Sequence, residues 1–580
     1  MRALSMMLVL ASVLLGGCVG RQTPTAPQAW LKPGVRVNLP APTLARSFSQ
    51  QQLLSAEVNG QQHAMLVLLN ADGERLTLVG MSPLGIRLFT LGYDRQGIHT
   101  EQLIKVGELP PASQVLADIM LSYWPITDWQ AQLPVGWRLQ DDAETRRLYD
   151  DRGMLIAEIR YQQQAGQRQP ISVRQTAFHY HIQYPESGEW TMIYFSAVGM
   201  VNALGNNLPQ IAQNLAAGQA PGMQQQTHWL IGDKPSWFGA VTGELPPIPV
   251  ALSRHNSRNN RLLLAALAQI APQVDEAIAR YGAERVAVIM GTSTSGIHEG
   301  ELALKHYQDG KWPDGYHYQQ QELGDPGQFL SALLGTRGPA YTLSTACSSS
   351  ARAIISGKRL IEAGLVDAAI VGGADSLCQM PINGFDSLES LAATRCTPFA
   401  AGRSGINIGE GAALLLLTQQ PAAVALLGIG ESSDAWHMSA PHPQGLGAER
   451  AITMALQQAG LQPQDIGYIN LHGTATRLND SVEAQVVNRL FGGGTPCSST
   501  KHLTGHTLGA AGAIEAALSW LVLSAPLALP AQDFSLAARD ETLAEINLLA
   551  APQPLGKRAI LSNSFAFGGN NACLLLGDVP

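Results

Sequence analysis

Cys347 sits in Ser344-Thr345-Ala346-Cys347-Ser348-Ser349-Ser350, where the strand-like run AYTLSTAC (340–347) gives way to the helical run ARAIISGKRLIEAG (351–364). A free thiol has a pKa of about 8.5, so only a few per cent is thiolate at neutral pH. The positive end of a helix favours the anion, which activates a sulfur nucleophile without an adjacent base. The competing reading is a small buried core cysteine. Histidines end two further runs, in Asn470-Leu471-His472-Gly473-Thr474-Ala475-Thr476 and in STKHLTGHTLGAAG (499–512), which holds Lys501, His502 and His506. Each histidine alone is more often a structural residue. Three strand-end segments offering Cys, His and His favour a site, because active sites in α/β folds collect at the carboxyl ends of strands.

The elements that must position these residues lie in the second of two unlike parts. From Met192 onward strands alternate with helices, the strands being 285–296, 340–347, 366–377, 466–476 and 559–569. That alternation predicts an α/β fold with parallel strands. INIGEGAALLLLTQ (406–419) and VALLGIGESSDA (424–435) read as antiparallel or edge-like. Two halves are expected, 192–420 and 421–580, although direct repetition between them is weak. Residues 48–190 instead carry short alternating runs broken by turn signals, as in HAMLVLLNADGERLTLVG (63–80) and LYDDRGMLIAEIRY (148–161). These predict β-hairpins, with a helix over 111–123. His179 and His181 are expected to alternate on one strand, as an ordinary strand face rather than a metal pair.

Composition bounds the function. The chain has 580 residues, 46% apolar and 14% charged, with a net charge of −8. Wholesale disorder and a globally basic nucleic-acid binder are excluded. The six cysteines include no CxxC pair, so neither a disulfide framework nor a cysteine-based zinc site is expected. At the N-terminus, Arg2 precedes an apolar run, ALSMMLVLASVLL (3–15), ending in Leu15-Gly16-Gly17-Cys18. The run is too short to span a bilayer and right for a signal core. It resembles a bacterial lipobox, which implies lipidation of Cys18 and, with Val19 following, outer-membrane anchoring. Residues 19–47 are rich in Pro, Ala and Thr and are expected to be a tether. The β-rich part resembles uncharacterised lipoproteins akin to lipoprotein-carrier half-barrels.

The ordered motifs TACSSS, HGTAT, STKHLTGHTLGAAGAIE and NSFAFGGNN (563–571) resemble the β-ketoacyl-[acyl-carrier-protein] synthases of the Cys-His-His, decarboxylating type. The resemblance covers Met192 to the end. It implies a thiolase-like five-layer α-β-α-β-α fold and a homodimer, or a heterodimer with a related subunit. Cys347 matches the nucleophile, and His472 and His506 the pair that assists malonyl decarboxylation. Imidazole N–H donors aimed at a developing oxyanion account for the need for two. Lys501 and Glu515 match an orienting ion pair. Phe567 matches the residue whose N–H joins that of Cys347 in an oxyanion hole, with Phe565 beside it at a gate. Gly568 and Gly569 are expected to let the backbone approach substrate. Thr474 and Thr476 match pantetheine-binding threonines, and Phe385 the acyl-pocket wall. No metal or diffusible cofactor is implied, since phosphopantetheine arrives on the acyl carrier protein in its acyl and malonyl forms. Arg254, Arg258 and Arg261 are expected to dock that acidic carrier.

Two segments depart from the family pattern. CTPFAAGRSGINIGEG (396–411) has Ala and Gly where relatives carry acids beside the arginine, and Asn570 stands where Thr is common. Chain length and starter preference are therefore open, between fatty-acid and aryl-polyene-type extension. A non-catalytic chain-length-factor-like subunit would lack the cysteine. A coenzyme A-dependent thiolase would need a second cysteine motif, which neither Cys497 nor Cys573 provides. A lipid-binding lipoprotein describes only the N-terminal part. An exported signal conflicts with a cytoplasmic synthase, and Met192 stands where such synthases begin. Two neighbouring reading frames joined in one chain are expected.

Overall fold

The computed structural model describes residues 27–44, 48–58, 61–71, 73–82, 87–102, 111–164, 167–183, 192–308 and 310–578. Cys18 and the signal-like run lie outside the described residues. Contacts divide the chain into two units, Met1–Glu186 and Ser187–Pro580. No single helix among the described residues is long and apolar enough to cross a membrane.

The first unit is a ten-stranded antiparallel sheet. Its hairpins form where the turn residues demand them. Between strands Thr145–Tyr149 and Leu155–Gln164, Asp150 Oδ1 accepts from the N–H groups of Arg152 (3.0 Å) and Met154 (2.8 Å), and Gly153 takes φ +78°. Helix Ala112–Tyr123 buries Leu116, Ala117, Ile119, Met120 and Leu121 in the core of this unit, with Trp124 and Trp129 beyond its end. The tether reading of residues 19–47 does not hold for 28–38. Strands Gln28–Lys32 and Val35–Asn38 pair around Pro33-Gly34, with Ala29 and Leu31 fully buried. The alternation in QAWLK, followed by Pro-Gly, is a hairpin signal that Pro/Ala/Thr composition obscured. His179 and His181 do not share a strand either. His179 sits in a turn at φ +56°, and the strand begins at Tyr180.

The second unit explains the two-half pattern. Its strands run, in sheet order, Ala340–Leu343, Val286–Gly291, Ala368–Asp375, Gly411–Thr418 and Tyr194–Val201, then Ala425–Ser433, Asn570–Gly577, Ala559–Phe565, Tyr468–Asn470 and Pro496–Ser498, with Asn547–Leu548 outermost. With the five main strands of each half numbered in chain order and read from the outer side inward, both halves run 3-2-4-5-1, Asn547–Leu548 being added beyond the second half. The duplication hidden from direct repetition is thus explicit in topology. Gly411–Thr418 and Ala425–Ser433 are antiparallel to their neighbours but central, not edge strands. Every residue of Gly411–Thr418 is buried, because helices cover both faces of the sheet.

In each half the third strand leads to a buried helix, Ser349–Glu362 in the first and Ala511–Ser524 in the second. The two helices pack together in the central core between the two halves of the sheet. Helices Arg258–Leu267 and Ala271–Tyr281 cover the outer face of the first half, and Leu446–Ala459 and Arg477–Phe491 that of the second. The result is the five-layer α-β-α-β-α arrangement. Close contact at the centre needs small residues. A Cβ on Gly512 would come within 2.6 Å of Ala351, and one on Gly291 within 2.3 Å of the Ser350 backbone.

Candidate active site

Cys347 lies between strand Ala340–Leu343 and helix Ser349–Glu362, one residue before the N-cap Ser348. Ala346 takes φ +53°, a conformation that costs a non-glycine residue energy and clusters at functional sites. The turn presents Sγ to the interior. His506 arrives on the segment after Pro496–Ser498. Its N–H donates to Asn407 O (2.6 Å), and its carbonyl accepts from Gly409 N (3.0 Å). His472 follows strand Tyr468–Asn470. Buried Glu483 accepts from the N–H groups of His472 and Gly473, both at 2.8 Å, and fixes that turn.

The three groups converge. Cys347 Sγ and a ring nitrogen of each histidine all lie within 4.8 Å of one another. His506 Nε2 is 3.0 Å from Cys347 Sγ, and the two imidazoles meet edge to face with centroids 5.5 Å apart. Lys501 Nζ donates to His472 O (2.6 Å) and pairs with the Glu515 carboxylate. Both members of that pair are buried, so each charge relies on the other.

Electrostatics favour a neutral resting site. Burial pushes the Cys347 thiol up to about 11. The Lys501 charge and the backbone N–H groups of Phe567 and Cys347 pull the other way, but not enough. Burial, then the Lys501 charge, hold His506 and His472 well below the ordinary imidazole value. Activation by the helix end alone, without an adjacent base, therefore does not describe this cysteine. An imidazole nitrogen, His506 Nε2 at 3.0 Å, stands within reach of the thiol proton.

The Phe567 N–H acts on the sulfur from the turn after strand Ala559–Phe565. Gly568 and Gly569 take φ +80° and +71° in that turn. The turn requires them: Gly568 N donates to Met438 O (2.8 Å), and a Cβ on Gly569 would meet Asp434 at 2.6 Å. The Phe385 and Phe567 rings stand 5.5 Å apart, and Phe565 lies 6.2 Å from the His472 ring. Phe385 also borders an apolar cluster of Leu230, Phe238, Leu377, Ile382, Ile406, Ile408 and Leu508. Thr474 and Thr476 place their hydroxyls 3.0 Å apart.

The arginines behave differently from the docking expectation. Arg258 is held by Glu410 at 2.8 and 2.5 Å, and Arg261 donates to the carbonyls of Pro246 (3.1 Å) and Leu245 (2.7 Å). Glu410 is buried, which draws the Arg258 guanidinium inward. Only Arg254 of the three is exposed. The acids missing beside Arg403 in sequence come from elsewhere, since Asp540 (2.6 Å) and Asp480 (3.4 Å) meet it in space. Sequence reasoning passed over Asp375, Asn407 and Glu483. An acid closing the strand run VDAAIVGGAD was the available signal for the first.

Comparison with known proteins agrees with this geometry. Residues 257–423 match the N-terminal domain of beta-ketoacyl synthase and 423–534 its C-terminal domain, while 49–185 match a protein family of unknown function, DUF3261. The 3-oxoacyl-[acyl-carrier-protein] synthase 2 of Staphylococcus aureus is 34% identical over 319 residues, covering 50% of this chain and 77% of its own length. A ketosynthase from Xenorhabdus doucetiae, ApeO, solved in complex with its chain length factor ApeC, is 64% identical. That match covers 67% of this chain and 98% of the other, with a TM-score of 0.65. A beta-ketoacyl synthase from Burkholderia phymatum is 27% identical, covering 67% and 100%, with a TM-score of 0.60. The chain belongs to the β-ketoacyl synthase family, fused behind a DUF3261 domain. Its reaction is the chain-extending condensation of an acyl group with a malonyl unit, both carried on acyl carrier protein phosphopantetheine.

Proposed function

We propose that Cys347, His472 and His506 carry the condensation. The Cys347 sulfur attacks the acyl-carrier thioester, and the thiol proton passes to the departing carrier thiol, by way of His506 Nε2. The oxyanion is held by the N–H groups of Cys347 and Phe567. Malonyl carrier then enters past Thr474 and Thr476, whose hydroxyls hold the pantetheine arm, and Phe565 and Phe567 gate it. His472 and His506 donate to the thioester oxygen as CO₂ leaves and the enolate forms. The enolate carbon attacks the acyl-Cys347 carbonyl. A β-ketoacyl carrier two carbons longer leaves, and the Cys347 thiolate takes a proton from water by way of His506. The 3.0 Å approach of His506 Nε2 to Cys347 Sγ carries this reading. Malonyl decarboxylation by His472→Ala tests it, and an unchanged rate would refute the enolate role.

The functional unit is a dimer, either of this chain or with a chain-length-factor-like subunit. Strand Ala340–Leu343 supports this, because it ends the sheet with all four residues half-buried, and an open edge of this kind invites pairing. The ketosynthase ApeO, solved in complex with its chain length factor, favours the mixed pair. Arg254 serves carrier docking. The pathway is aryl-polyene-type extension, with fatty-acid elongation the alternative. That choice rests on the resemblance of the two parts to lipoproteins and synthases from one kind of locus. The β-rich part is an outer-membrane lipoprotein anchored through Cys18, and the synthase is a cytoplasmic product beginning at Met192. Intact mass of fractionated native protein tests this: a single lipidated 580-residue chain would refute two products.

A further inference from the structure

Asp375 closes strand Ala368–Asp375 and is fully buried. Its Oδ1 accepts from Thr292 Oγ1 (2.7 Å), Ser293 N (2.8 Å), Thr294 N (2.7 Å) and Thr294 Oγ1 (2.7 Å). Its Oδ2 accepts from Ala510 N (3.0 Å). All five bonds are accepted and none donated, which favours the ionised form, while burial works against them and raises the carboxyl above its ordinary value. A buried charge met only by hydroxyls and backbone N–H groups, with no cation on it, is an expensive arrangement.

The two ends of this carboxylate reach different halves of the synthase unit. Oδ1 organises the turn after strand Val286–Gly291, and Gly291 packs directly on Ser349–Ser350 at the start of the Cys347 helix. Oδ2 holds Ala510, the N-cap of helix Ala511–Ser524, four residues after His506. A second bond spans the same gap, from Ala513 N to Ser350 Oγ at 2.9 Å.

We propose that Asp375 is a positioning residue that locks the His506 segment against the Cys347 turn, and thereby sets the sulfur–imidazole approach. This rests on the reading of Cys347 as nucleophile and His506 as its partner. The carboxylate also opposes ionisation of the thiol, since its negative charge pushes the Cys347 value upward.

Asp375→Asn separates the two ends. The amide oxygen still accepts from the Thr292–Thr294 turn, whereas an amide NH₂ facing Ala510 N–H meets donor with donor. Thr294→Val is the companion, removing the hydroxyl that donates to Asp375 Oδ1 and accepts from Ser376 N, and leaving the Ala510 link intact. Two readouts are taken on the full chain: steady-state condensation with acyl and malonyl carrier, and the pH profile of iodoacetamide labelling at Cys347, which needs no condensation. For Asp375→Asn, kcat is expected to fall on the order of 10–100-fold, the loss typical of a small misplacement of catalytic groups. Carrier KM stays within about twofold, and Cys347 labels at lower pH because a negative charge beside it is gone. Thr294→Val stays within about threefold in kcat. Equal losses in the two variants, or an Asp375→Asn enzyme with unchanged kcat and labelling profile, would overturn the proposal. So would an Asp375→Asn chain that fails to fold, which would make the carboxylate a core requirement only. If native Cys347 does not label, the nucleophile reading fails instead.

Discussion

The two halves of the synthase unit share one strand order and use it for opposite chemistry. After the second strand, the first half places Thr292–Thr294 and the second half His472. After the third, the first half places Cys347 and the second Lys501 and His506. After the fourth, the first half ends in Asp375 and the second in the Phe567 turn. In the proposed reading one half supplies the nucleophile and an anchoring acid. The other supplies both imidazoles, the lysine and a backbone donor. The junction after the third strand also differs in length. In the first half Leu343 is followed by a helix at Ser349, whereas in the second Ser498 is followed by the corresponding helix only at Ala511. The tight junction puts a sulfur at a helix start. The longer one makes room for a short helix, Lys501–Thr504, and for a histidine that reaches across to that sulfur. Duplication gave the frame, and unequal loops made the site.

The largest effect should follow from removing the first half's contribution. Cys347→Ala is expected to abolish acyl transfer and condensation, read by product formation from acyl and malonyl carrier, and retained condensation would break the division of roles. Removing the second half's contribution should leave a residue of activity. His506→Ala is expected to slow condensation by on the order of 10²–10⁴, the range for combined proton-transfer and oxyanion losses, and a loss under about threefold would argue that the second half is scaffold only.

Lys501→Met strands the buried Glu515 carboxylate. A loss of about 3–5 kcal/mol in urea unfolding is expected, and Lys501→Met combined with Glu515→Leu should recover much of it. The pH dependence sharpens the same contrast. With the Cys347 thiol raised to about 11, the thiolate appears late as pH rises. Alkylation should therefore keep climbing well past pH 8.5, and a plateau near 8 would mean that the helix end outweighs burial. The smallest effect is at the surface: Arg254→Glu should raise carrier KM about two- to fivefold with kcat unchanged, while Arg258→Glu should instead lower stability by stranding Glu410.

Much of the frame was legible because local signals and burial agree. The Asp-Asp-Arg-Gly turn, the helix over 111–123 and the alternating α/β runs each follow from residue periodicity. Cys347, His472 and His506 were legible from motif order, and Lys501 with Glu515 from the same resemblance. What composition obscured was local geometry. A Pro-Gly turn with alternate buried residues made residues 28–38 a hairpin although their surroundings read as a tether. The arginines failed for another reason. Arg258 and Arg261 sit in a basic run, but Glu410, distant in sequence, and the carbonyls of Leu245 and Pro246 claim them. Asp375 was passed over because its partners are hydroxyls and backbone N–H groups, which leave no charge pattern to read.

The most direct test of a site assembled from both halves is to map the covalent intermediate. The full chain is incubated with acyl carrier protein alone, digested and read by mass spectrometry, beside a His506→Ala chain. An acyl adduct on Cys347 and on none of the other cysteines, forming much more slowly without His506, is the predicted result. An adduct elsewhere, or one on Cys347 at the same rate without His506, would contradict it.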